Sequence, residues 1–181
     1  MSNSIDAATA ARLGRGEVLV MTEAVPGSPT PRLVVRAVVD APPEQVWDLI
    51  DKSALYMHFM PRVKRSEELS RAGDDVRTRV TVDMPFPLKD LTATTQARHT
   101  VEPGVRWVRA WRLEAGDYHH NEGSWTLTPF DGDPRRTFAH YQVHVVPKIP
   151  IPKLIQSAVQ EKAMPGMIDA VRGEVRRRFG R

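Results

Sequence analysis

Between Val63 and Pro147 the apolar side chains recur every second residue, and from Lys153 to about Arg178 they recur at helical spacing. Successive side chains on a strand point to opposite faces, so alternation kept up over several segments predicts an antiparallel sheet with one buried and one wet face. VRTRVTVDM puts Val76, Thr78, Val80, Val82 and Met84 on one side. LTATTQARHTVE groups Leu91, Ala93, Thr95, Ala97, His99 and Val101. VRWVRAWRL groups Val105, Trp107, Arg109, Trp111 and Leu113, and NEGSWTL aligns Asn121, Gly123, Trp125 and Leu127. FAHYQVHVV closes the series with Ala139, Tyr141, Val143 and Val145 inward.

Two earlier strands are expected over residues 17–24 and 32–41, joined by the turn VPGSPTP. PPEQVWDLID then suits a helix: paired prolines at its start, Glu44 where the dipole favours an anion, and Val46, Trp47 and Ile50 on one face. Ser53 is placed to cap a second short helix, in which Leu55 with Phe59 and Tyr56 with Met60 are i,i+4 pairs, ending at Pro61.

The last apolar stripe combines Leu154, Ile155, Ala158 and Val159 with Met164, Met167, Ile168, Val171 and Val175. A helix over Lys153–Arg178 spans about 40 Å, enough to cross a sheet, and Pro165 should bend or interrupt it. Strands, two short helices, more strands and one long helix make an α+β order. A sheet curved around one helix cannot close on it everywhere, so a cavity between them is expected.

This order, carried by DAPPEQVWDLI (40–50), YMHFMPRV (56–63), NEGSWTL and a strand ending in VVPKIPIP, resembles the SRPBCC or START-like helix-grip superfamily. That superfamily includes polyketide cyclase/dehydrase proteins, and the likeness is greatest to its coenzyme-Q-binding-protein branch. The match runs over about residues 32–178. It implies a curved antiparallel sheet around a long C-terminal helix, enclosing an apolar pocket for a lipid, isoprenoid, quinone, sterol or polyketide-like ligand. It also implies that the two short helices form the pocket's mouth, with Tyr56, Phe59 and Met60 at the entrance and Met57 beside them.

Arg109 shares its face with two tryptophans. A desolvated guanidinium must be paired or contact a ligand, so the alternatives are a salt bridge, a stem reaching the rim, a bulge reversing the face, or a ligand anchor. The other cavity candidates are Trp107, Trp111, Trp125, Tyr141, Asn121, His99, Thr95, Met84, Met164 and Ile168. The tryptophans also suit a core, and Asn121 a turn.

His140 and His144 are about 13 Å apart if extended, and His119 and His120 point to opposite faces, so no metal site is expected from this spacing. No GxSxG and no glycine-rich phosphate loop occurs, no catalytic residue is assigned, and no cofactor is expected. The absence of cysteine excludes disulfides, thiolate metal sites and cysteine nucleophiles.

Three functions remain open: a carrier of a hydrophobic small molecule; an aromatase/cyclase-type enzyme using Arg109, Tyr141 or His99; and an adaptor binding a protein or membrane through the aromatic corner and basic tail. The net charge is +4, with Arg172, Arg176, Arg177, Arg178 and Arg181 crowding the end. That crowding suits a helix C-terminus or transient contact with an anionic membrane. Aromatics do not interleave with the basic residues, so nucleic acid is not expected as a partner. Residues 1–15 are expected as a flexible leader, or a short helix given their alanines, and 16–181 as one domain. With no signal-like or membrane-spanning run, a soluble cytoplasmic protein is expected.

Overall fold

The computed structural model describes residues 5–180. Eight strands form one curved antiparallel sheet. They are β1 (Leu19–Glu23), β2 (Arg32–Val39), β3 (Val63–Ala72), β4 (Asp75–Val82), β5 (Leu91–Glu102), β6 (Arg106–Gly116), β7 (Tyr118–Phe130) and β8 (Asp133–Pro147). Their order is β1-β2-β8-β7-β6-β5-β4-β3. The last six are successive hairpins, and β2 returns to pair with β8, Val35 opposite Tyr141 and Ala37 opposite Ala139.

Since β2 and β3 lie far apart in that order, their connection must cross the sheet. It does so as α2 (Pro43–Asp51), with Pro43 at its first position and Glu44 in the first turn, followed by a 3-10 helix, Ser53–His58. The 3-10 period of three brings Tyr56 edge-on to Phe59, ring centroids 6.0 Å apart. Ser53 does not cap this turn; its fully buried hydroxyl bonds to Thr78 instead.

The C-terminal segment is helical from Lys153 to Phe179 in three pieces: α3 (Lys153–Ala158), a π turn (Val159–Ala163) and α4 (Met164–Phe179). Pro165 has no N–H for the carbonyl one turn back, and the wider π turn just before it accommodates that break. Met167, Ile168, Val171 and Val175 of α4 join Val46, Leu49 and Ile50 of α2, and Val35, Ala37 and Val39 of β2, in the main core. Leu154, expected in the same stripe, is 82% exposed; the helix's first turns overhang the cavity and the face they turn to it carries Ile155 and Val159 instead.

Within the stretch expected as a leader, α1 (Ala7–Gly14) is the short helix its alanines allowed, capped by Asp6 accepting from the Thr9 amide. Leu13 is fully buried against Val38, Phe130 and Phe138. Val38 and Phe138 have the opposite parity to the concave-face residues, so α1 covers part of the convex face. Residues 1–4 lie outside the described residues. No helix among the described residues is long and apolar enough to cross a membrane.

Candidate functional site

The concave face is packed at one end and hollow at the other. On β8, Ala139 belongs to the core while Tyr141, Val143 and Val145 line a cavity; on β4, Val76 is buried while Thr78, Val80 and Val82 line it. On β6 the boundary falls at Arg109, between core Trp107 and cavity Trp111. The packed half is filled by α2 and α4. The hollow half is a cavity of about 350 Å³, roofed by Ile155, Val159, Ala163, Met164 and Met167 of the C-terminal helix. Such a volume is at the small end of ligand pockets.

Arg109 lies at the inner end of this cavity and is only 4% exposed. Its Nη1 donates to His99 Nε2 at 2.7 Å and its Nη2 to Thr78 Oγ1 at 3.0 Å. Thr78 in turn bonds to Ser53 Oγ at 2.9 Å. A guanidinium can only donate, so His99 Nε2 accepts and the ring proton sits on Nδ1, 3.3 Å from Asp51 Oδ1. Asp51 also accepts from Arg71, which grips Glu68. Burial first, and the Arg109 charge second, push His99 down to about 4, so it is neutral at physiological pH. Trp47 packs edge-on against it at 5.0 Å. Arg109 therefore sits in no ion pair among the described residues; both its bonds go to neutral groups.

The remaining polar groups of the cavity are mostly donors. Asn121 Oδ1 accepts from Trp111 Nε1 at 3.1 Å, which leaves the amide NH₂ to donate. Tyr56 gives its hydroxyl to the Ile50 carbonyl at 2.6 Å. The hydroxyls of Tyr118 and Tyr141 have no hydrogen-bond partner among the described residues. Burial raises both, Tyr118 to about 12, so both stay protonated at neutral pH. The lining carboxylate, Asp83, is paired with Arg62 at 3.1 Å.

Of the residues expected here, Arg109, Trp111, Trp125, Tyr141, Asn121 and Thr95 line the cavity, as do Tyr56, Met60, Met84 and Met164. Trp107, Ile168, His99 and Phe59 do not. Trp107 and Ile168 are core, His99 stands behind Arg109, and Phe59 packs on the core beside Tyr56. Met60 was expected at an open entrance, yet it is 8% exposed and serves as core and wall together, while Met57 is 41% exposed and outside the lining.

Tyr118 was missed because the bulge between Tyr118 and His120 turns an even-numbered residue to the side of Asn121. Leu33, Met167 and Ala163 were also missed as cavity residues. The first two carried an inward apolar signal, but nothing separated hollow from core.

The basic C-terminus is largely engaged within the molecule. Arg172 donates to the Val38 and Gly16 carbonyls, and Arg177 and Arg178 both bond to Glu174, holding its carboxyl down to about 2. Arg181 lies outside the described residues.

Comparison with known proteins agrees with this architecture. The family model for polyketide cyclase / dehydrase and lipid transport matches residues 39–172. Among solved structures, a STAR-related lipid transfer protein fragment from Xanthomonas axonopodis superposes with a TM-score of 0.76 at 20% identity, covering 88% of this chain and 93% of that one. Human StAR-related lipid transfer protein 5 gives 0.77 at 14% identity, covering 92% and 85%. The Zhui aromatase/cyclase of a Streptomyces species gives 0.66 at 21%, covering 81% and 94%. A search of curated proteins found no significant match. With the family model spanning most of the chain, this chain, which has the START-like helix-grip fold, belongs to the polyketide cyclase / dehydrase and lipid transport family.

Proposed function

We propose that the protein binds and carries an apolar small molecule that has an acceptor oxygen at one end. One observation carries this reading: an apolar cavity ends at a buried guanidinium whose partners are both neutral. A buried charge without a counter-charge is costly, and a ligand carbonyl or carboxylate placed against it would recover part of that cost. Asn121, Tyr118 and Tyr141 supply further donors on the way in. A fatty acyl chain, a quinone with an isoprenoid tail and a polyketide all offer such oxygens on an apolar body.

An aromatase/cyclase-type enzyme is the second reading, favoured by the convergence of Arg109 and the two tyrosine hydroxyls, which could stabilise an enolate oxygen. His99 cannot take part directly, since Arg109 separates it from the cavity. The cavity thus offers electrophilic donors and no unpaired base, which suits binding better than proton abstraction.

The test is mass spectrometry of an organic extract of the purified protein, together with titrations followed by the emission of Trp111 and Trp125. Dodecanoic acid, its methyl ester and a short-chain quinone serve as probes. Saturable binding of one equivalent is expected. Failure of every probe to bind, with no extracted ligand, would refute the carrier reading; turnover of a poly-β-ketone mimic would replace it with the enzyme.

A further inference from the structure

The convex face carries a second group of polar side chains that the cavity does not use. His120 and Glu122 are two apart on β7 and share that face, and His144 of β8 pairs directly with Glu122 across the strands. One potential ligand atom from each residue lies within 4.8 Å of the other two. The two imidazole rings are 4.7 Å apart, and His120 Nε2 is 3.3 Å from Glu122 Oε1. That approach permits Coulomb attraction but is not aligned as a hydrogen bond, so His120 Nε2 is a buried nitrogen without one. Buried polar atoms of this kind are rare and call for a reason.

His144 is already oriented. It is 5% exposed beneath the β1–β2 turn, where its Nε2 lies 2.8 Å from Ser28 Oγ and 3.2 Å from the Thr30 carbonyl. A carbonyl only accepts, so Nε2 carries the proton and Nδ1 keeps the lone pair. Thr30 Oγ1 anchors the turn by donating to the Val145 carbonyl at 2.6 Å. A histidine whose far nitrogen is tied to a backbone carbonyl is the usual arrangement behind a metal-bound imidazole.

We propose that His120, Glu122 and His144 form an inter-strand site for a borderline divalent transition ion of the zinc class. Two imidazoles and one carboxylate suit zinc, copper or nickel and disfavour magnesium and calcium, which demand oxygen ligands. The ligand atoms need to draw together modestly, and His120 and Glu122, each partly exposed, are free to do so. Arg32, 3.9 Å from Glu122, competes only weakly because it also lies 3.7 Å from Glu23. Three protein ligands leave a fourth position for water. The bound ion would fasten β7 to β8 beneath the Ser28–Thr30 turn, on the face opposite the cavity.

The experiment uses full-length protein without an affinity tag, freed of metal by chelation and titrated with Zn²⁺ against a chromophoric competitor. One equivalent should bind and raise the melting temperature, and excess Mg²⁺ should not displace it. His120→Gln and Glu122→Gln should each weaken zinc at least about ten-fold and abolish the thermal shift, while melting like the parent without metal. The proposal is overturned by the absence of stoichiometric zinc binding at micromolar protein, by equal affinity in both variants, or by displacement with Mg²⁺. Apo variants that melt far below the parent would show that these side chains serve packing, and that too would overturn it.

Discussion

Replacing Arg109 by Met tests the cavity most directly, because it deletes the charge while keeping length and apolar volume. A lost hydrogen bond to a charged group costs about 1.5–3 kcal/mol. Dodecanoate should therefore bind roughly ten- to a hundred-fold more weakly, while its methyl ester, with a poorer acceptor, should lose less. The fold should survive. Thr78 keeps its bond to Ser53, whereas His99 Nε2 loses its donor, a cost of about 1–3 kcal/mol offset by no longer burying a charge.

The same variant has a signature in acid. In the parent, burial and then Arg109 hold His99 at about 4 against an ordinary 6.5. As pH falls from 6.5 towards 4, the unfolded chain takes up a proton that the folded one refuses, so stability is lost across that window. The loss is at most about 1.4 kcal/mol per pH unit, roughly 3 kcal/mol in all, with none expected from this group above the window. Removing Arg109 deletes the second of three downward causes, leaving burial and the more weakly felt Arg71, so His99 should titrate higher and the acid loss should shrink. Urea melts across this range, paired with the acid and ester titrations, give both readouts. Unchanged affinity for both probes in a folded variant, or an unchanged acid limb, would refute the placement of the charge at the cavity's inner end.

A chain ending at Pro150 should lack a cooperative melt. It loses Met167, Ile168, Val171 and Val175 from the core, each worth about 1.5–3 kcal/mol, a sum comparable with the whole stability of a domain; a near-parental melting temperature would contradict this. Met60→Ser should cost about 2–5 kcal/mol as a buried truncation, whereas Met57→Ser, at a 41% exposed site, should cost under about 1 kcal/mol; chemical denaturation decides between them. Gly123→Ala should destabilise the fold and perturb Trp111 emission, because an added Cβ would overlap the Gln142 carbonyl and the Trp111 ring; a parental melt and spectrum would show that the strands yield freely there.

How much of this was legible in the sequence depends on direction within the fold. Side-chain parity is a property of a strand by itself, so period-two alternation placed the inward faces of β4 to β8, Arg109 among them. Parity fails where a bulge adds a residue, as at Tyr118. It is silent about neighbours on other strands, which is why spacing arguments compared His140 with His144 and passed over His120 beside His144. It is silent also about position along the groove. Trp107 and Trp111 have the same parity and the same side chain, yet α2 and α4 fill the space before one and leave it open before the other.

The signal for that missing coordinate lay in polarity. An arginine is tolerated inward only where close packing gives way to a space with hydrogen-bond partners, since deep in the core it would stay unpaired and at the rim it would turn to water. Thr78, across the groove, is the polar step in an otherwise valine-rich inward face and meets Arg109 at that boundary. In this sheet it is the inward polar residues that bond to one another across strands, Thr78, His99 and Arg109, that mark the depth at which the core stops and, on the proposed function, a ligand's polar end would rest.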